Sequence, residues 1–292
     1  MKNNIIIGLL LLLTATCSAQ YFEAGIFLGA SNYSGDLDPD ARARLFRETH
    51  FAGGILARYP IGEYINIRGT FSVGTLSGTD ANNKEDARKQ RNLNFRSSIQ
   101  EVALLAEWNI FGYDVDNKNF TPYLYAGGAL FHFNPRTQYQ GEWVALQPLG
   151  TEGQGLTQYP DKQKYKLWQF SIPIGGGVKY AISESWNIGL EIGVRKTFTD
   201  YIDDISTIYI AYDELAAGNG VLAAQLANRQ NEYFGIPEPP TTTTGTVRGS
   251  TANKDWYAIS GITLTYNFTS DTGLSSGGGH YRSRTRSGCP TF

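Results

Sequence analysis

Trp186-Asn187-Ile188-Gly189-Leu190-Glu191-Ile192-Gly193-Val194-Arg195-Lys196-Thr197 carries the pattern from which the fold is read. Trp186, Ile188, Leu190, Ile192 and Val194 stand on one parity, and Asn187, Glu191, Arg195 and Thr197 on the other. Alternation at period 2 marks a strand with one apolar and one polar face. Working outward, seven more segments alternate: Phe22–Asn32, Thr49–Tyr59, Tyr64–Thr75, Phe95–Phe111, Phe120–Phe133, Trp168–Tyr180 and Asp255–Phe268; the quoted one extends over Trp186–Thr199. A tilted strand needs roughly 9–11 residues to cross a bilayer, and each of these is long enough.

The connections point the same way. Pro60–Glu63, Gly112–Asn119 and Ala181–Ser185 are short, whereas Tyr33–Glu48, Leu76–Asn94, Asn134–Leu167 and Asp200–Lys254 are long. Strict short-long alternation suits a membrane barrel with short periplasmic turns and long extracellular loops, and a soluble sandwich has no reason for it. The expectation is an all-β, eight-stranded, antiparallel up-and-down transmembrane β-barrel over residues 20–268, with both chain ends periplasmic. Trp168, Trp186, Trp108, Tyr180 and Tyr59 near strand ends read as interfacial girdles. The last strand alternates Ile262, Leu264, Tyr266, Phe268, like the terminal signal of outer-membrane barrels. Strands one and five carry apolar residues on both faces.

Parity also selects an interior. Glu23, Arg58, Arg68, Glu101, Glu107, Lys179, Glu191 and Arg195 fall on polar faces and would project inward with mixed signs. Eight strands leave a lumen that side chains fill, so a plug of ion pairs and water is expected rather than an ion path. Lys196 and Arg96 break parity at strand ends, where a long cation can snorkel.

Lys2, the apolar run Ile5–Leu13 and small residues up to Ala19 form a secretory signal over residues 1–19, with lipidation at Cys17 as the rival. After cleavage Cys289 is the remaining thiol, so an internal disulfide is excluded. Residues 269–292, with Arg282, Arg284, Arg286 and Cys289 after a Ser/Gly run, read as a flexible basic periplasmic tail and a candidate partner contact. Lys+Arg 25 against Asp+Glu 27 gives net charge -2, which argues against nucleic acid as a partner. Mean hydropathy of -0.30 excludes a bundle of membrane helices.

Chemistry finds little footing. His50, His132 and His280 sit in no metal-ligand spacing, and no His-x-Ser pair supports a lipid hydrolase. Gly127–Gly128 and Gly175–Gly177 lie inside strands, where they permit close approach or bending rather than phosphate binding. Asp36, Asp38 and Asp40 resemble part of a calcium loop but lack its frame, leaving a solvated acidic loop as the expectation. The last long loop holds a helix near Val221–Arg229, then a stiff exposed arm of Pro237, Pro239, Pro240 and four threonines. No enzyme activity, cofactor, metal or small-molecule substrate is expected. A surface adhesin or ligand binder using the loops, and a lipid-modifying enzyme, are the competing classes.

Three blocks carry a resemblance: Glu23-Ala24-Gly25-Ile26-Phe27-Leu28-Gly29-Ala30-Ser31-Asn32-Tyr33-Ser34-Gly35-Asp36-Leu37, then Lys196-Thr197-Phe198-Thr199-Asp200-Tyr201-Ile202-Asp203-Asp204-Ile205-Ser206-Thr207-Ile208-Tyr209, then Lys254-Asp255-Trp256-Tyr257. They are similar to the PorG family of type IX secretion outer-membrane proteins of Bacteroidetes. The resemblance implies an outer-membrane barrel associated with the periplasmic PorK–PorN ring, serving protein export and gliding motility. It implies no catalytic residues.

Overall fold

The structure is a computed structural model that describes residues 22–37, 48–114 and 118–268. The signal segment, Asp38, Asp40, His280 and the whole basic tail, with Arg282, Arg284, Arg286 and Cys289, lie outside the described residues.

In chain order the strands are β1 (Phe22–Ser34), β2 (His50–Pro60), β3 (Ile65–Thr79), β4 (Asn94–Asn109), β5 (Phe120–His132), β6 (Pro135–Tyr139), β7 (Glu142–Ala145), β8 (Trp168–Ala181), β9 (Trp186–Thr197) and β10 (Trp256–Phe268). Eight of them form the wall in the order β1-β2-β3-β4-β5-β8-β9-β10, all antiparallel. Pairing of β10 with β1, from Phe22 opposite Phe268 to Ser34 opposite Trp256, closes the cylinder. Closure pairs every strand and leaves no edge, the condition for a sheet in hydrocarbon. The expected eight-stranded closed barrel is the fold.

Burial follows the alternation. Along β9 every even-numbered residue from Trp186 to Lys196 is exposed and every odd-numbered one buried. Leu190 and Ile192 are 59% and 63% exposed, and Leu104, Phe170, Ile55 and Ile262 continue the belt around the cylinder. Leaving each such side chain in water forgoes about 1.5–3 kcal/mol, so this surface calls for an apolar solvent. Near the short-turn end Phe22, Phe268, Tyr266 and Trp186 form a chain of ring contacts with centroids 5.9, 5.0 and 5.2 Å apart. This is an aromatic girdle. No described helix is long and apolar enough to cross a membrane.

Most strand ends shift by one or two residues from the expected ones, and two of the long loops hold more sheet than expected. β3 and β4 stay paired from Thr75 opposite Ser98 to Thr79 opposite Asn94, so both ends of the expected loop Leu76–Asn94, Leu76–Thr79 and Asn94, are sheet. The third long loop contains the β6–β7 hairpin, which pairs with β4 where Ser97 faces Pro135. Its two-residue turn needs positive φ at both positions, met by Gln140 (φ 50°) and Gly141 (φ 88°).

The long loops also carry helices: α1 (Asp86–Arg91), α2 (Tyr212–Asn219), α3 (Val221–Ala227) and α4 (Gln230–Phe234). The expected helix near Val221–Arg229 is α3, ending before Asn228. Its buried Ala223, Ala224 and Ala227 pack with Leu156, Ile210 and Leu215 into a small core of the loops themselves. The threonine arm is exposed as expected, but it is tied back: Asn228 Nδ2 donates to Thr242 Oγ1 at 2.8 Å, and Thr244 Oγ1 to Glu214 Oε2 at 2.9 Å.

Candidate functional site

The interior has three layers. At the short-turn end lies a charged lumen, toward the loop end an apolar plug, and above that a polar cap built by the long loops.

All eight inward charges expected from parity are buried and paired in the lumen. Glu107 on β4 is the hub. Its carboxylate accepts from Arg58 Nε at 2.8 Å, Asn66 Nδ2 at 2.8 Å and Lys179 Nζ at 3.1 Å, with Arg68 Nη1 3.7 Å away. Arg58 also donates to Glu23 at 2.6 Å, and Thr265 donates to the same Glu23 oxygen. Arg68 grips Glu191 with two parallel bonds of 2.6 and 2.7 Å, and Tyr123 adds a third at 2.7 Å. Arg195 and Glu101 form a separate pair at 3.2 Å, capped by Tyr257 Oη at 2.6 Å. Four carboxylates thus meet four cations, and the lumen is neutral in sum.

Tyrosines fill the space between. Tyr123 and Tyr125 lie under the guanidinium groups of Arg58 and Arg68, at 5.7 and 5.2 Å. A β-carbon on Gly175 would come within 2.5 Å of the Tyr125 ring, and one on Gly177 within 2.8 Å of Tyr123 Oη. The glycine run thus makes room for these phenols. Lys179 Nζ sits 4.3 Å over the Tyr113 ring, and Tyr113 Oη donates to Asn187 at 2.6 Å, flooring the lumen. A void of about 10 Å³ beside Arg68, Tyr125 and Arg195 has room for about one water.

Above this network Phe27, Leu56, Leu76, Phe95, Ile99 and Phe131 join Ile202, Ile205 and Leu226 from the last long loop in one buried cluster. The loops therefore reach into the barrel mouth and dry it. The mixed apolar faces of β1 and β5 find their cause here. Phe27, Tyr33, Tyr123, Tyr125 and Phe131 point inward because the lumen is packed with rings.

The cap is held by buried polar groups that parity could not identify. Tyr33 Oη lies 2.7 Å from Asp203 Oδ2 and 2.8 Å from Asp255 Oδ1. Asp203 and Asp255 also accept from the amides of Ile205 (2.9 Å) and Ile202 (2.8 Å). Burial pushes Asp203 up to about 8, and burial beside Asp203 raises Asp255 well above the usual carboxylate range. Arg248 donates to Glu152 Oε1 at 3.0 Å and to the Asp204 carbonyl at 2.6 Å. Glu152 in turn accepts from the amides of Ser206 and Thr207. Burial raises Asp204 to about 6 despite Arg248, and its carboxylate accepts from Tyr165 Oη at 2.6 Å.

Asp36 is no solvated loop residue. Its carboxylate accepts from the Ser250 amide at 2.8 Å, and its carbonyl from Arg88 at 2.7 Å. All four long loops are stitched together by such contacts. Three acids in Asp200–Asp204, with no cation among them, were the sequence signal available for this cluster. No group of His, Cys, Asp and Glu fit to hold a metal occurs among the described residues.

Comparisons with solved structures find barrels of low sequence identity. Ail, the attachment invasion locus protein of Yersinia pestis, is similar with TM-score 0.40 and 9% identity, covering 85% of this chain and 98% of that one. Outer membrane protein OprG from Pseudomonas aeruginosa is similar with TM-score 0.41 and 10% identity, over 86% of this chain and 97% of that one. For Escherichia coli Outer Membrane Protein W the values are 0.34, 12%, 86% and 98%. No curated protein matches the sequence. Strands β1 to β9 and the cap as far as α2 fall within residues 2–223, the stretch matched by the family model described as Domain of unknown function (DUF6089), and the chain belongs to that family.

Proposed function

We propose that this chain is a non-enzymatic outer-membrane barrel that anchors the type IX protein secretion machinery, and with it gliding motility, to the membrane. In this reading the short turns and both chain ends are periplasmic and the cap is extracellular. The periplasmic ring proteins PorK and PorN are the partners.

One observation carries the reading. The three sequence blocks that resemble the PorG family converge on one buried hydroxyl: Tyr33 comes from the first, Asp203 from the second and Asp255 from the third. Segments far apart in sequence are thus specified together as one latch. The filled lumen supports an anchor rather than a conduit, since its charges are neutralised in place.

A barrel with such short turns offers little periplasmic surface, so contact with the ring falls to residues 112–119, 181–185 and the tail carrying Arg282, Arg284, Arg286 and Cys289. Deleting residues 269–292 from a chain that still inserts is expected to reduce co-purification of PorK and PorN. Unchanged recovery would remove the tail from the reading. Normal export of type IX cargo in a strain lacking the whole chain would remove the secretion role.

The cap favours a second reading, a surface adhesin or ligand binder. Tyr233, Phe234 and Ile236 are exposed together at the end of α4. Loss of surface binding with intact secretion after replacement of 212–245 by a short linker would select it.

A further inference from the structure

Two cations stand on the outward parity of the wall, and their surroundings differ. Arg96 on β4 projects over the Trp143 ring at 5.9 Å, and the next outward residues below it are polar, Ser98 and Gln100. Lys196 on β9 projects over Trp256 at 5.9 Å, but below it come Val194 and Ile192, both in the apolar belt. Its ammonium therefore sits at the top of an apolar column.

That column leads into a groove of about 580 Å³ on the outside of β1, β10, β9 and β8. Small outward residues on three strands, Ala30, Ser260 and Gly176, make its floor, and Leu190, Ile192 and Ile262 its sides. Register places the cation directly above it. Gly176 and Ser260 both pair with Ile192, while Ile172 and Trp256, four residues nearer the loop end on their own strands, both pair with Lys196. Four residues of strand separate the two levels by about 13 Å.

We propose that this face binds a phosphorylated, acylated lipid of the outer leaflet, with one acyl chain in the groove and a phosphate at Lys196. The assignment rests on the outer-membrane placement proposed above. The groove is apolar and lies within the belt, so a hydrocarbon chain fills it without a desolvation cost. The ammonium, about 13 Å along the strand above the groove's Ile192 level, supplies the complementary charge for a phosphate ester. Trp256, beside Lys196, provides the amphipathic ring suited to the boundary between chain and headgroup.

The test uses the full mature chain, purified in detergent and checked for heat-modifiable mobility. Retention of a bis-phosphorylated lipid A is compared by native mass spectrometry with that of its dephosphorylated form, phosphatidylethanolamine and inorganic phosphate. Lys196→Gln is expected to cost about fivefold in retention of the phosphorylated lipid, the equivalent of one lysine at a membrane surface, and to leave the dephosphorylated form unchanged. Ser260→Leu fills the groove and is expected to weaken both lipids, whereas Arg96→Gln weakens neither. Equal retention by all three variants, or full competition by inorganic phosphate, would overturn the proposal while leaving the secretion role standing. A folded chain that fails to partition into envelope membranes would sink both.

Discussion

Asp203 and Asp255 share one phenol: Tyr33 Oη is 2.7 Å from the first and 2.8 Å from the second, with all three groups buried. A phenol has one proton and can donate one such bond. The other contact requires a proton on a carboxyl group, so the closed cap holds at least one proton there that an opened cap releases. Burial raises Asp203 to about 8 and Asp255 well above its usual value, with Asp36 and Asp200 adding negative potential and Arg91 opposing it. Raised acids stabilise the closed form fully below the ordinary carboxylate range, and that stability drains as pH climbs toward 8. Hydrogen exchange at the Ile202 and Ile205 amides, corrected for intrinsic rate, should show protection falling from pH 5 to pH 9. Protection that rises over that interval would exclude the shared proton.

Tyr33→Phe removes the hydroxyl and nothing else. The two carboxyl groups then face each other without a mediator, and an unsatisfied buried polar group costs about 1–3 kcal/mol. Cap protection should drop by that amount at neutral pH, while barrel strands keep theirs. Proteolysis of the folded protein in detergent is the second readout, with new cleavage expected between 200 and 255. A variant as resistant as the parent would mean the latch is incidental.

Glu107→Gln tests the lumen. The amide preserves shape and can still accept from Asn66, but Arg58 and Lys179 lose their common counter-charge. Breaking a buried pair from one side typically costs about 3–5 kcal/mol, and urea unfolding in detergent should register a loss of that order. Replacing Arg68 and Glu191 together by Met should cost much less than either single change, because their bidentate pair is removed as a unit. Additive losses would show that the pair is not acting as one.

The wall was legible because lipid and lumen enforce opposite chemistry on adjacent residues, as in β9, where Glu191 and Arg195 alternate with Leu190, Ile192 and Val194. All eight inward charges followed from that contrast. Their partners did not, because Arg68 meets Glu191 and Arg195 meets Glu101 across the barrel, between strands that are not neighbours in the sheet. Parity also failed where the interior is itself apolar: Phe27 and Phe131 face inward yet look like lipid-facing residues. The loop cap was the largest omission. Its order rests on contacts such as Arg248 with Glu152, separated by most of a loop and a strand pair, and no local period announces them.

The belt itself makes the sharpest demand. Leu190 is at mid-height on β9, outward, paired with Ile262 on one side and Val178 on the other. Leu190→Arg places a guanidinium where no water reaches in a bilayer and is expected to cost about 2–4 kcal/mol. The same arginine replacing Lys196, at the loop end of the strand, stays within reach of the interface and should cost about 0–1 kcal/mol. In water the two sites, both exposed, would tolerate the change alike. Refolding into lipid vesicles against urea therefore separates the cases, and equal stability of the two variants would mean that this surface does not face hydrocarbon.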